Sequence, residues 1–489
     1  MRTLDDIKKT ITELVEKELH EEIMEFSAMP GSGSSRRYFR VKTDKKSIVG
    51  AYNLNIEENN AFFSFSKRFG ECGLPVPKIF AVSKERDIYI QSDLGDDTLF
   101  NRVEKCLENG IFDDETVALY KKSLDKLVDF QIFGHKNLDY SVAFPTSVFD
   151  EMSIMDDLNY FKYCFLKEQE EISFNETRLD IDFQRLADYI LKAPSDFFMY
   201  RDFQSRNIMI CDNKPYFIDY QGGRKGPLQY DIVSLLYQVK ARLPEELRVQ
   251  LIDYYKERLY KKSLSGEKLI KSFDRYFPAF VLLRLLQVLG AYGFRGLIQR
   301  KLHFMQSIPY AIKEILKQEE NWLLPFELPE LRSVIKQLSL VLPKYENIEP
   351  EVLTITVNSF SYKNGGVPYD NGGNGGGFVF DCRALPNPGR YAEFKKMTGE
   401  DAEVQEFLDD KPETHYFLQN VQLLVYQSID NYLERGFKNL QINFGCTGGQ
   451  HRSVFFAQKI GEMVHENYPM VRVVINHLAQ HKNYVYEAK

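Results

Sequence analysis

The stretch NIMICDNKPYFIDY, from Asn207 to Tyr220, most constrains what this chain can fold into. Two apolar runs flank Asp212-Asn213-Lys214, which is turn chemistry for a β-hairpin. A hairpin of that length sets Asn207, at the start of one strand, beside Asp219, at the end of the other. An amide oxygen and a carboxylate converging on one point suit a hard divalent cation such as Mg²⁺, which prefers oxygen ligands. Asp202 lies just upstream, where it would face a metal-bound phosphate as base or orienter for an attacking hydroxyl.

An Asp-x4-Asn spacing arises often by chance, and Asp219 taken alone reads equally as a surface turn residue. The flanks decide between these readings. Ile208-Met209-Ile210 and Phe217-Ile218 are buried-strand material, so the polar residues fall at strand ends, where sites are built. A loop Asp, an Asn beyond it and a metal-binding Asp on the next strand is the kinase arrangement. Tyr230-Asp231 then opens an apolar helix, DIVSLLYQV.

Taken together, RDFQSRN, FIDYQ, GP and YDIVSLL resemble the aminoglycoside phosphotransferase branch of the protein-kinase-like fold. Within it they look most like the anomeric sugar kinases of cell-wall recycling, which phosphorylate C1 of N-acetylmuramate or N-acetylglucosamine. The resemblance implies a bilobal α+β fold, ATP as donor, an amino-sugar acceptor, Asp202 as catalytic base and Asn207 with Asp219 as Mg²⁺ ligands. It also implies Asp231 as a structural support of the catalytic loop. Tyr200 stands where kinases usually carry His, a position that mostly buttresses the loop.

Upstream, PGSGSSRRYFR sits where a kinase keeps its phosphate-covering loop. Ser32, Gly33 and Ser34 would let backbone N–H groups approach phosphates, and Arg36, Arg37 and Arg40 would add charge. An ordinary hairpin turn accounts for the same letters. The next strand, SIVGAYN, lacks the Lys that grips the phosphates in protein kinases, so neither Glu57 nor Glu58 gains an assignment as its partner. Gln91, Asp93 and Leu94 fall at the inter-lobe hinge that binds adenine in the resembling family, or in a plain linker. Arg224 is expected in a salt bridge with a neighbouring acid, with a phosphate or sugar contact as the other option. No GxxxxGK[ST] motif occurs, which excludes a P-loop.

A chain of 489 residues holds two to four domains. The boundaries fall at residues 1–92 (nucleotide lobe), 93–325 (catalytic, largely helical lobe), 326–350 (linker) and 351–489. A net charge of −7 argues against bulk attraction to nucleic acid. MRTLDDIKK has no apolar core of a signal peptide, and the apolar run from Phe277 to Phe294 is broken by Arg284 and Gln287. The expectation is a cytoplasmic protein with no membrane segment and six reduced cysteines.

The last segment changes character. Strand-like VLTITVNSF and GFVFDCRAL flank a glycine-rich connection, and LQINF runs into GCTGGQHRS and an apolar helix. A strand, a small-residue turn and a helix N-terminus make an anion site. A phosphatase-like loop with Cys446 as nucleophile is a second reading, set back because the cysteine–arginine spacing is taken as one residue out of Cys-x5-Arg register; a plain βα turn is the third. LTITVNSFSYKNGGVP, FVFDCRALPNPGRY, MTGEDAEVQEFL and GCTGGQHRSV resemble the C-terminal domain of the RNase adapter RapZ. That resemblance implies a small α/β domain that binds an amino-sugar phosphate, contacts small RNA and oligomerises. Thr447, Gly448, Gly449, His451 and Arg452 would hold the phosphate, with Lys363 and Arg383 nearby. Asn364 and Gly389 stand where that family usually has His, and NYVYEAK lacks its basic cluster, so sugar-phosphate binding ranks above RNA binding. Two alternatives remain for the chain: a degenerate kinase lobe acting as scaffold for a sensor or RNA adapter, and a kinase for another acceptor such as an aminoglycoside.

Overall fold

The computed structural model describes residues 2–29, 36–320, 322–346, 352–370 and 377–488. They form two units, Met1–Gly293 with Ser307–Pro343, and Phe294–Gln306 with Lys344–Lys489.

The first unit opens with the Leu4–Leu14 helix, started by a Thr3/Asp6 capping box. Its Ile7 and Ile11 pack on an antiparallel sheet of β1 (Ile23–Ala28), β2 (Arg37–Thr43), β3 (Ser47–Tyr52), β4 (Ile79–Val82) and β5 (Ile88–Ser92), in the order β1-β2-β3-β5-β4. The contact is close: a Cβ on Gly50 would lie 2.6 Å from Ile11 Cδ1. The Ile56–Glu71 helix, N-capped by Asn55, follows β3 and buries Phe62, Phe65 and Phe69.

Past the hinge the unit is largely helical, with two small ribbons. β6 (Phe197–Met199) pairs with β9 (Arg224–Gly226), and β7 (Ile208–Cys211) pairs with β8 (Lys214–Phe217). Asp212 and Asn213 both adopt positive φ (49° and 57°), the backbone that a two-residue hairpin turn requires. The Gly266–Tyr292 helix is apolar enough to span a membrane by composition, yet its Phe280–Leu286 turns are core. The segment read from sequence as a linker carries the Pro329–Glu346 helix, whose Leu331, Val334, Ile335, Leu338 and Val341 are buried. Asp182 caps its start, accepting from Glu330 N (2.7 Å) and Leu331 N (3.0 Å).

The second unit is a doubly wound sheet of β10 (Thr354–Ser361), β11 (Gly377–Asp381), β12 (Asn439–Cys446), β13 (Arg472–His477) and β14 (Lys482–Tyr486). The order is β11-β12-β10-β13-β14, parallel except for β14. The chain leaves β10 toward β11 and leaves β12 toward β13, so the two connections part in opposite directions. Ligands of such sheets bind at the strand ends beside this switch point. Ser361 and Cys446, the last residues of β10 and β12, face each other there.

Candidate functional sites

The hairpin carries Asn207 and Asp219 together. Ile208 pairs with Phe217, and Ile218 N–H donates to Asn207 O (3.1 Å). Asn207 Nδ2 donates to Asp202 O (2.8 Å) and to Asp219 Oδ2 (3.2 Å), which leaves its amide oxygen available. Burial first, and the Asp202 carboxylate second, push the Asp219 carboxyl up from its ordinary value; Gln221 and the charges of Arg36 and Arg206 act the other way. Two carboxylates that destabilise one another, beside an amide oxygen, form a donor set that fits a hard cation. Among the described residues no group of three or more His, Cys, Asp or Glu makes a metal cage by itself. Nucleotide phosphates would have to complete the shell.

Three contacts stiffen this corner. Asp231 is fully buried and accepts from Tyr200 N (2.8 Å) and Arg201 N (2.9 Å); burial pushes its carboxyl up to about 7. Tyr200 donates its hydroxyl to Ile218 O (2.5 Å), tying the loop of Asp202 to the strand end before Asp219. Arg201 makes a bidentate pair with Asp157 (2.9 and 2.6 Å).

The arginines of RRYFR divide by strand alternation. Arg36 and Arg40 share one face of β2, and Arg37 takes the other, exposed, with its guanidinium over the Phe39 ring. Arg40 is held at the hinge by Asp93 (2.8 Å) and Asp96 (2.8 Å) rather than extended toward a phosphate site. Asp93 also accepts from Ser47 Oγ (2.6 Å) and Gly95 N (3.0 Å). Gln91 Oε1 is buried with no hydrogen-bond partner, and Leu94 O accepts from Cys211 Sγ (2.9 Å). Ser32, Gly33 and Ser34 lie outside the described residues.

The pairing of Arg36 with Glu58 is what the sequence reading missed. Arg36 is buried, pairs with Glu58 on the Ile56–Glu71 helix (2.8 Å) and donates to Tyr38 Oη (3.1 Å). Gln221 Nε2 continues the chain, reaching Glu58 Oε1 (3.3 Å) and Asp219 Oδ1 (2.7 Å). A kinase lysine–glutamate pair ties the corresponding helix to strand β3, whereas here the cation comes from the residue before β2. The period-two alternation of RRYFR was the signal that could have singled out Arg36. Arg224 is a correction: it makes no ion pair among the described residues, and donates instead to Gly222 O (3.2 Å) and Thr146 Oγ1 (2.7 Å). Burial and the charge of Arg201 hold its pKa below the ordinary value.

In the second unit the turn after β12 gathers Thr447, Gly448, Gly449, His451 and Arg452 at the start of the Arg452–Asn467 helix. Gly449 has φ +67°, and a Cβ there would lie 2.7 Å from Ala479 Cβ, so only glycine fits. Ser361 Oγ donates to Thr447 O (2.9 Å) and accepts from Asn364 N (3.1 Å), which seats the turn carrying the exposed Lys363 beside this loop. His451 Nε2 lies 2.9 Å from Phe394 O. Arg452 Nη1 donates to Arg383 O (2.9 Å) and Leu385 O (3.0 Å), while the Arg383 side chain pairs with Asp381. The register set against a phosphatase-like loop is corrected here: five residues, Thr447 to His451, separate Cys446 from Arg452, which is Cys-x5-Arg.

Residues 25–263 match the phosphotransferase enzyme family, and residues 353–481 match the RapZ C-terminal domain. Among curated proteins, a nucleotide-binding protein of Nitrosomonas europaea is 36% identical over 27% of this chain and 44% of its own length. One of Thermotoga neapolitana is 30% identical over 35% of this chain and 60% of its own length. The chain thus spans less than half of the first of these relatives. Among solved structures, choline kinase from Cryptosporidium parvum covers 67% of this chain and 99% of its own, at 12% identity and a TM-score of 0.45. Aminoglycoside phosphotransferase APH(4)-Ia covers 64% and 97%, at 13% and 0.41. At those scores neither structure carries an argument about substrate. The first unit is thus similar over residues 25–263 to the phosphotransferase enzyme family, and the second over residues 353–481 to the RapZ C-terminal domain.

Proposed function

We propose that the first unit is an ATP- and Mg²⁺-dependent kinase that phosphorylates a sugar hydroxyl, at the anomeric C1 of N-acetylmuramate or N-acetylglucosamine. The observation that carries this reading is the meeting of Asp202, Asn207 and Asp219 at one hairpin end. Asp202 orients the acceptor hydroxyl and takes its proton as the oxygen attacks. Asn207 and Asp219 hold the cation, which supplies charge neutralisation to the phosphate oxygens when bound. Arg36, fixed by Glu58, takes the phosphate-gripping role of the missing strand lysine. Ser32, Gly33 and Ser34 would cover the phosphates; Arg37, exposed on the opposite face of β2 from Arg36, is set aside, and Arg40, held by Asp93 and Asp96, goes with Gln91, Asp93 and Leu94 to the adenine hinge. The unpartnered Gln91 Oε1 supports a polar contact there.

Arg224 favours the acidic sugar of the two. It is a buried cation in the field of Asp157 and Asp202 and has no carboxylate at ion-pair distance among the described residues. The carboxylate of N-acetylmuramate would supply that counter-charge.

The second unit senses an amino-sugar phosphate through Thr447, Gly448, Gly449, His451 and Arg452, with Lys363 and Arg383 at the rim, and regulates the kinase. Its parallel sheet ends and helix N-terminus support an anion ligand.

The test is ADP release from ATP and Mg²⁺ across N-acetylmuramate, N-acetylglucosamine, glucosamine and an aminoglycoside, with Asp202→Ala as control. Turnover with an N-acetyl sugar, abolished by the substitution, supports the reading. Turnover with the aminoglycoside alone moves the acceptor. No turnover above the control with any acceptor leaves the first unit as scaffold for a sensor or RNA adapter.

A further inference from the structure

The second unit holds two buried cysteines in opposite electrostatic surroundings. Cys382 is fully buried; its Sγ has only Phe380 O, at 3.9 Å, and burial pushes its thiol well up. Cys446 is 4% exposed, and burial acts the same way on it, yet its thiol is held below the ordinary value. The Ser453 hydroxyl lies 3.1 Å from its sulfur and Gly449 N–H donates at 3.2 Å, with the amides of Ser453 and Gln450 also turned on it. Arg452, 5% exposed, has Nη1 fixed on two carbonyls, while its buried Nε finds no acceptor. A sulfur at the end of a strand, a ring of amides and a hydroxyl occupy one turn, and Arg452 opens the helix of 16 residues that follows it.

A site that only binds phosphate gains nothing from donors spent on a sulfur, because the Gly449 amide and the Ser453 hydroxyl are then turned away from the anion. A cysteine that only fills space has no use for amides aimed at its sulfur, and Cys382 shows how this unit builds one. A sulfur that collects hydrogen-bond donors inside an anion nest is instead the arrangement of an activated nucleophile.

We propose that the turn from Cys446 to Ser453 is a phosphohydrolase centre, in which Cys446 accepts the phosphoryl group of a phosphate monoester and passes it to water. The proposal rests on the anion-binding reading of the same turn. In the first step the S–P bond forms as the ester P–O bond breaks. The electron pair leaves on the ester oxygen, which takes a proton from water and departs as the alcohol. The loop amides and Arg452 hold the three remaining oxygens. In the second step a water oxygen attacks phosphorus, and the S–P pair returns to Cys446. The proton of that water neutralises the hydroxide left by the first step, and inorganic phosphate leaves. Ser453 offers its hydroxyl to the departing thiolate.

The experiment uses the full chain carrying Asp202→Ala, which silences the first unit. Release of inorganic phosphate from p-nitrophenyl phosphate and from glucosamine-6-phosphate is followed without ATP. In parallel, alkylation of Cys446 by iodoacetamide is read by mass spectrometry with and without inorganic phosphate. Release that falls more than about 100-fold in Cys446→Ser, at an unchanged unfolding midpoint, is the expected result. Should that variant fail to fold, rapid acid quench of the parent chain must trap phosphate on Cys446, and its absence overturns the proposal. Protection of Cys446 by phosphate without any release overturns the hydrolase and leaves the anion site standing. Neither protection nor release overturns both.

Discussion

The corner of Asn207 and Asp219 in the first unit and the turn from Cys446 to Arg452 in the second prepare for phosphate with opposite charge. The first collects carboxylates. Burial and Asp202 raise the pKa of Asp219, and Arg36, one of the two cations acting on it, is itself paired with Glu58. On the proposed reading such a site repels a nucleotide until a divalent ion enters. The second collects donors: Gly449 N–H, the Ser453 hydroxyl and the amides around them lower the pKa of Cys446 against the pull of burial. On the proposed reading it admits an anion directly. The difference lies in what builds each site. Side chains at strand ends build the first, and main-chain amides at a helix start build the second, so the second depends more on backbone shape than on residue identity.

The widest gap between the two should open with Asp202→Ala. Kinase turnover is expected to fall about 10²–10⁴-fold, the range for a lost general base, with binding of inorganic phosphate to the second unit unchanged. Turnover within a few fold of the parent would remove Asp202 from the mechanism. Arg36→Ala should raise the KM for ATP roughly 10- to 100-fold, as expected for a lost charge-assisted contact, while the sugar KM stays near its parent value. An unaltered ATP KM would break the analogy with the lysine–glutamate pair. Arg224→Gln should cut the preference for N-acetylmuramate over N-acetylglucosamine by about tenfold, seen in the ratio of kcat/KM values. An unmoved ratio would return Arg224 to a structural role.

Least in size is a titration. The folded state lowers the Cys446 thiol, so this group adds stability above the unfolded pKa, and that stability is lost as pH falls through the lower folded value. The midpoint of its alkylation-rate profile should therefore fall below the ordinary thiol value of about 8.5. Cys382, whose pKa is raised, should stay unlabelled over the same range. Equal midpoints for the two would erase the contrast between them.

What the sequence made legible was local. Asp212-Asn213 states its own turn, and once the turn is set, strand register delivers Asn207 to Asp219. GCTGGQHR likewise announces a tight βα turn, because Gly449 has room for no side chain. Contacts between distant segments were not legible. Arg36 meets Glu58 only when β2 and the Ile56–Glu71 helix are both in place, and adjacent letters favoured Arg37 and Arg40 equally. Arg224 was expected to find an acid because arginines usually do, and Gly222 O and Thr146 Oγ1 receive it instead. The packing of the Pro329–Glu346 helix was not legible either, since burial of Leu331 and Val334 depends on a surface made by residues far upstream.

Asp219 adopts φ +68°, a conformation in which glycine is at ease and a side chain is not. Drift guided by folding alone would therefore end at glycine, and it would be rewarded on the way by relief of a carboxyl that burial disfavours. Thermostability screens run without an activity readout should enrich Asp219→Gly, and the sturdier proteins they return should be unable to bind magnesium nucleotide.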